Sequence, residues 1–216
     1  TNSPTGFPPS VYPTSTGESA APTAGPTETQ VVVDSELPPP LAAPQKDPPV
    51  AVQVQATRLT GRLAEMLRAQ PLYVPSPALV GSARTRKAMM ADPAMDPAVA
   101  AWGRMSVCLV GIGSLEPSPL LRSSGNALSD EDASALRASG AVGDICLRYF
   151  DAEGRSVGSS VDDRLLGMTA SAIRAVPRRI AVAGGPGKRQ AIRAALLGGW
   201  VSTLIVDADT AAALCA

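Results

Sequence analysis

The sequence predicts an α/β domain, with a mostly parallel sheet and helices on both of its faces. Strand-like and helical segments alternate from about residue 106 to the C-terminus, which is typical of parallel sheets. Two apolar runs of strand length, 107–110 and 180–183, contain no polar side chain, as expected for strands covered on both faces. A glycine-rich turn follows each run, where open α/β sheets bind their ligands.

The first 50 residues differ in composition from the rest of the chain. They contain twelve of the 21 prolines, and they have five acidic residues but only one basic residue, Lys46. Such a segment buries too little apolar surface to offset its ordering entropy, so we expect residues 1–50 to form a disordered or irregular tail. Only Val31–Val33 could pair as a strand. The folded domain is therefore expected to span residues 51–216.

The first part of that domain is predicted to be mainly helical. Thr57 can cap a helix over 58–69, in which Leu59, Leu63, Met66 and Leu67 share one face. A short strand is predicted at 72–74, before two prolines. Further helices are predicted over 82–90 and 96–103.

The second part carries the sheet. Ser129 is expected to cap a helix that ends at Ala138, and residues 143–151 are predicted to be one strand with a turn at 152–154. The remaining predicted elements are a return beginning at 162–164, a short helix capped by Thr169 or Ser171, a strand over 179–183, a helix over 188–197, a strand over 203–206 and a helix over 210–215.

Composition excludes several kinds of chemistry. The chain has no histidine, which rules out Ser-His-Asp and Cys-His catalysis and histidine-bound zinc. Its three cysteines, Cys108, Cys146 and Cys215, lack metal-type spacing and lie in apolar runs, so we expect them to be buried small hydrophobes in a reducing cytoplasm. The 19 basic and 19 acidic residues balance, so no basic nucleic-acid surface is indicated. We expect no membrane segment, cofactor or metal, and a cytoplasmic location.

The two glycine turns are the candidate binding positions. Gly111 and Gly113 follow the first apolar run, whereas Gly184, Gly185 and Gly187 precede Lys188 after the second. Glycines let the backbone approach a ligand closely, and free N–H groups at the start of the next helix favour an anion. Neither turn matches the phosphate loop of nucleotide-binding proteins or the three-glycine dinucleotide motif.

Two charged residues stand out at these turns. Lys188 places a positive charge in the first helical turn, where the helix dipole disfavours it, so either an anionic ligand or simple solvent exposure explains it. Asp144 lies among apolar neighbours at the head of a strand; it could accept hydrogen bonds from sugar hydroxyls, or bond its own turn. Asp207 reads as a helix cap, and Trp102 and Trp200 as packing residues.

Six segments, in this order, resemble a known family. They are Gln55-Ala56-Thr57, Tyr73 to Ala78, Val110 to Ser114, Gly140 to Cys146, Tyr149 to Gly154, and Ile180 to Lys188. Together they resemble the C-terminal sugar-binding (effector) domain of SorC/DeoR-family bacterial transcriptional regulators, over roughly residues 52–216.

The resemblance implies a Rossmann-like fold of the phosphosugar-isomerase type and a phosphorylated sugar effector that changes oligomeric state and operator affinity. By the same resemblance Lys188 would meet the phosphate, Gly184 and Gly185 would allow backbone approach, and Asp144 and Gln55 would reach the sugar. With Gly113, these form the expected effector site; no catalytic residue is expected.

The family's helix-turn-helix, first strand and Gly-Arg-Thr loop have no counterpart in residues 1–50. Operator DNA binding is therefore expected only if a helix-turn-helix is supplied elsewhere. Two alternatives stay open at this point. One is a phosphosugar isomerase- or deaminase-like enzyme using Lys188 as an amine nucleophile or Asp144 as a base. The other is a truncated remnant that acts through oligomerisation.

Overall fold

Four parallel strands form the main sheet, in the spatial order β1, β7, β6, β2. The computed structural model describes residues 57–74, 76–116 and 128–216 fully and the backbone of 30–33 and 52–56. The strands are β1 Gln30–Val33, β2 Val107–Gly111, β3 Gly113–Ser114, β4 Gly143–Ile145, β5 Arg148–Phe150, β6 Arg178–Val182 and β7 Thr203–Val206. The helices are α1 Val52–Leu67, α2 Ala83–Met90, α3 Asp96–Trp102, α4 Asp130–Ala138, α5 Ala170–Ala175, α6 Arg189–Leu197 and α7 Ala208–Cys215.

One face of this sheet forms the main core. Ala181 of β6 and Leu204 of β7 are paired in register, and both are buried. They pack with Ile192 and three alanines of α6, Ala191, Ala194 and Ala195. The short alanine side chains let the helix lie close to the sheet. The predicted α/β fold with a parallel sheet flanked by helices is confirmed.

The other face of β2 is exposed within the described residues. Cys108 is buried, but Val107 and Leu109 on either side of it are 44% and 57% exposed. Side chains alternate between the two faces of a strand, so the expected double coverage of this strand holds for only one of its faces.

A small antiparallel sheet, in the order β3, β4, β5, packs beside the parallel one. The prediction of one strand over residues 143–151 is wrong. These residues form a hairpin, and its two-residue turn is Cys146-Leu147. Both turn residues have positive φ angles, 53° and 61°, which match the right-handed twist of a tight hairpin. Neither residue is a glycine, so the only sign of this turn in the sequence is Asp144, which could bond its own turn.

Other elements also differ from prediction. Helix α1 begins at Val52, so Thr57 lies inside the helix and is not its cap. Residues 72–74 form no strand, and Asp162–Arg164 is a 3-10 turn rather than the start of a return strand. Val31–Val33 do pair, in parallel with β7; the rest of the predicted tail lies outside the described residues.

Two of the predicted helix caps are observed in this part of the chain. The Ser129 hydroxyl accepts from the Asp132 N–H at 3.1 Å, and Thr169 caps α5 through the Ala172 N–H. Side-chain caps of this kind satisfy N–H groups that have no partner inside the helix.

The cysteines are not all buried. Cys108 is buried as predicted, whereas Cys146 in the hairpin turn and Cys215 near the end of α7 are exposed. The other residue of the hairpin turn, Leu147, is partly buried against a small apolar cluster. In the part of the chain with a described structure, no helix has the length and apolarity needed to cross a bilayer.

Candidate functional site

The glycines, Asp144 and Lys188 of the predicted site lie at the carboxyl edge of the parallel sheet. Strand β2 ends at Gly111, just before Gly113 of β3, and β6 ends just before the turn that carries Gly184 and Lys188. The 3-10 turn Pro186–Lys188 contacts β3. Segments that are 70 residues apart in the chain therefore form one crevice, as expected for an open α/β sheet.

Asp144 lies in the middle of β4, directly paired with Gly113 of β3. Its Oδ2 accepts a hydrogen bond from the Leu147 N–H at 2.9 Å, which also stabilises the hairpin turn. A Cβ added at Gly113 would lie 2.0 Å from Asp144 Oδ1. Residue 113 is therefore a glycine because the Asp144 carboxylate occupies the space that any side chain would need.

Burial raises the pKa of Asp144 from 3.8 to about 6, although the Leu147 N–H and the charge of Lys188 both pull this pKa downward. An uncharged carboxyl is favoured where water is displaced. Asp144 therefore changes between its neutral and charged forms near neutral pH, and it can donate or accept hydrogen bonds there.

Lys188 ends the 3-10 turn and immediately precedes α6. Its backbone N–H donates to the Gly185 carbonyl at 3.1 Å, which holds the turn tight. Across the described ranges, no carboxylate oxygen lies within 4.0 Å of the Lys188 ammonium group. Lys188 is half-buried, and its charge lowers the pKa of Asp144. Among the described residues, no ion pair neutralises the charge of Lys188.

Gly184 and Gly185 lie against the neighbouring turn that follows β7. Gly185 has a φ of 92°, a left-handed conformation that favours glycine. Its N–H donates to Asp207 Oδ2 at 3.0 Å and to Thr210 Oγ1 at 2.9 Å, so this N–H points into the protein. Gly184 passes so close to Asp207 that an added Cβ would lie 2.1 Å from Oδ2.

Asp207 is the helix cap that the sequence predicts, since its Oδ1 accepts from the Thr210 N–H at 2.8 Å. Its second contact, to the Gly185 turn, is not evident from sequence. Thr210 is fully buried; its hydroxyl is the other contact that sequence reasoning missed. The only available signal was that Asp207 follows a strand next to β6 in the sheet.

The structure does not test the predicted role of Gln55. This residue is the fourth residue of α1, and its side chain lies outside the described residues.

Two cavities lie elsewhere on the domain. One of about 470 Å³ is lined by residues that include the charged Arg86, Arg148 and Asp162. Another of about 400 Å³ is apolar and is lined by Trp102, Cys108, Leu109 and Cys146, among others. Asp144 and Lys188 line neither of these two cavities. Within the described segments, no group of three or more Cys, Asp and Glu residues is arranged to hold a metal.

Comparison with protein families identifies one match. Residues 47–216 match the family described as "Putative sugar-binding domain". The deoxyribonucleoside regulator of Bacillus subtilis is 33% identical over 151 residues, which is 70% of this chain and 48% of the relative. The uncharacterized transcriptional regulator YjhU of Escherichia coli is 37% identical over 157 residues, or 72% and 45% of the two chains. This chain thus spans about half the length of these curated relatives.

Solved structures agree with the sequence comparisons. A domain of a "possible sugar-binding transcriptional regulator" from Arthrobacter aurescens superposes with a TM-score of 0.68 at 28% identity, covering 76% of this chain and 62% of that one. The full-length sorbitol operon regulator SorC of Klebsiella pneumoniae gives a TM-score of 0.67 at 27% identity, covering 74% and 51%. These relatives are regulators, so the comparisons favour a binding domain over the isomerase- or deaminase-like enzyme.

Proposed function

Because this chain belongs to the sugar-binding domain family of SorC- and DeoR-type transcriptional regulators, we propose that it senses a phosphorylated sugar for a bacterial regulator. One observation carries the proposal of a phosphorylated ligand. At the carboxyl edge of the sheet, a lysine with no ion pair among the described residues stands near a carboxyl group whose pKa is about 6. A sugar phosphate presents one anionic group and several hydroxyls, which suit these two side chains.

Each side chain has a distinct task in this proposal. The Lys188 ammonium binds the phosphate as a point charge, and the Asp144 carboxylate accepts hydrogen bonds from sugar hydroxyls. Gly113 and Gly184 bring the backbone to the edge of the site, since the absence of a side chain lets it pass close to the Asp144 and Asp207 carboxylates. Gln55 completes the hydroxyl contacts from helix α1. The reaction is binding alone, without bond making or breaking.

The rest of the proposal concerns the whole regulator. Effector binding changes the association of subunits and the affinity for operator DNA, which a helix-turn-helix outside residues 52–216 contacts. The domain is part of a homo-oligomer in the cytoplasm. The relatives named as transcriptional regulators support this assignment.

Calorimetry with paired ligands tests the phosphate contact. We expect Lys188→Gln to weaken binding of a phosphorylated sugar by roughly 10- to 100-fold, because a hydrogen bond to a charged group contributes about 1.5–3 kcal/mol. Binding of the same sugar without phosphate should change much less.

Arg193→Gln is the matched control, because it removes an exposed positive charge from α6, the helix that follows Lys188. Equal losses for the phosphorylated and unphosphorylated sugars in Lys188→Gln would contradict a phosphate contact. No binding of any sugar phosphate by the folded wild type would overturn the proposed function.

A further inference from the structure

We propose that Asp207 and Thr210 are positioning residues for the effector site: they hold the turn 184–188 in the shape that directs Lys188 toward Asp144. The inference deepens the proposed function and assigns a role to two residues that touch no ligand. It rests on a set of hydrogen bonds that join two neighbouring strand-to-helix turns, one after β6 and one after β7.

The Asp207 carboxylate is fully engaged by backbone and hydroxyl donors. Oδ1 accepts from the Thr210 N–H at 2.8 Å, whereas Oδ2 accepts from the Gly185 N–H at 3.0 Å and from the Thr210 hydroxyl at 2.8 Å. A cap requires only the first of these contacts. Of the two contacts on Oδ2, the one from the Gly185 N–H reaches the other turn, and capping α7 does not need it.

Thr210 reinforces the same link. Its Oγ1 accepts from the Gly185 N–H at 2.9 Å while donating to Asp207. The side chain is fully buried, and a buried hydroxyl without partners would be costly. The Thr210 hydroxyl therefore lies between the two turns and is hydrogen-bonded to a residue of each, Gly185 and Asp207.

The turn that these residues hold has little freedom left. Gly185 adopts its left-handed φ, and Gly184 lies against the carboxylate at a distance that excludes a Cβ. The next three residues form the 3-10 turn that ends at Lys188, which is closed by the bond from the Lys188 N–H to the Gly185 carbonyl. Gly185 is therefore bonded on one side to Asp207 and Thr210 and on the other to Lys188.

A change at Asp207 or Thr210 should consequently reach Asp144 through Lys188. Asparagine at 207 retains one oxygen but turns an NH₂ group toward the Gly185 N–H or the Thr210 N–H, where two donors would face each other. Valine at 210 keeps the shape of threonine and leaves the cap intact, but it removes the shared hydroxyl. Both variants free the turn without altering Lys188 or Asp144.

Two readouts test the role, and the first needs no ligand. Carboxyl-carbon NMR of the ligand-free chain follows the titration of Asp144, whose pKa the Lys188 charge lowers. If the turn positions Lys188, the measured pKa of Asp144 rises in Asp207→Asn and Thr210→Val. Sugar-phosphate affinity, by calorimetry, should fall roughly tenfold, as when an outer partner of a binding residue is lost.

Three matched variants separate positioning from stability. Thr210→Ser keeps the hydroxyl, so the Asp144 pKa and the sugar-phosphate affinity should both match those of the wild type. Asp209→Asn removes an exposed charge from the same first helical turn of α7 and should change neither. Ser129→Ala deletes the cap of α4 together with the bond from the Ser129 hydroxyl to Asp132 Oδ2, so it gives the effect of losing a capping group from another helix.

The outcomes are distinct. If Asp207→Asn and Thr210→Val lower the unfolding midpoint as Ser129→Ala does but leave the Asp144 pKa unchanged, the positioning role is wrong. If the pKa of Asp144 rises but the wild type binds no sugar phosphate, the positioning role stands and the proposed function fails. If the wild type binds and both variants bind equally well, the link between these residues and the effector site is wrong.

Discussion

At pH 8, Asp144→Asn is expected to raise the free energy of unfolding by up to about 3 kcal/mol relative to wild type. The folded pKa of Asp144 is about 6, against 3.8 for an ordinary aspartate, and each pKa unit corresponds to about 1.4 kcal/mol. Because the folded pKa is raised, the charged carboxylate destabilises the fold once the pH exceeds that value. The asparagine oxygen can still accept the Leu147 N–H, so the hairpin turn should be retained.

The pH dependence gives the sign of this effect. Below about pH 4 the carboxyl is protonated in the folded and unfolded chains, so the two proteins should be equally stable with respect to this group. The advantage of Asp144→Asn should grow between pH 4 and pH 6 and then level off. Urea denaturation at a series of pH values measures it. A difference that is constant with pH would contradict a raised pKa for Asp144.

Trp200→Ala is expected to cost about 3–5 kcal/mol, the usual range for removing a buried aromatic ring. Trp200 is 0% exposed, and its ring centroid lies 5.1 Å from that of Phe150. Its indole N–H donates to the Gly154 carbonyl at 2.7 Å. The Arg174 guanidinium stacks over the ring at 5.6 Å from its centroid, which adds a cation–π contact.

Trp200→Phe separates the ring from the indole N–H. It retains much of the packing but leaves the Gly154 carbonyl without this partner, so it should cost less than Trp200→Ala, about 1–3 kcal/mol. Circular dichroism during urea unfolding measures both variants. A loss below 1 kcal/mol for Trp200→Ala would show that this ring does not support the core.

The fold was predictable where a side chain determines the local structure. Ser129, Thr169 and Asp207 each cap a helix as predicted, because a hydroxyl or carboxylate at that position satisfies a free backbone N–H. The apolar runs of β2 and β6 were likewise recognisable as strands. Trp200 packs as predicted, and the Phe150 ring beside it explains why.

The misses have a common physical cause. The hairpin turn at Cys146-Leu147 depends on positive φ angles in residues that rarely adopt them, and the bond from the Leu147 N–H to Asp144 stabilises it. Whether the second face of β2 is covered depends on which other segments pack against it. A run of apolar residues in the sequence does not identify those segments. Local patterns therefore located Asp144 and Lys188, whereas the contacts of Asp207 and Thr210 with Gly185 required the sheet order.

The order of elements in the second half of the chain also bears on how the crevice assembles. β6, α6, β7 and α7 follow one another without interruption from Arg178 to Cys215, so bringing them together closes only short loops. We expect this unit to form early, with the turn 184–188 already tied to Asp207. The hairpin that carries Asp144 should dock later, so a partly folded chain has the lysine in place but no pocket. Pulsed hydrogen exchange during refolding would show later protection of β4 than of β6; simultaneous protection would contradict this order.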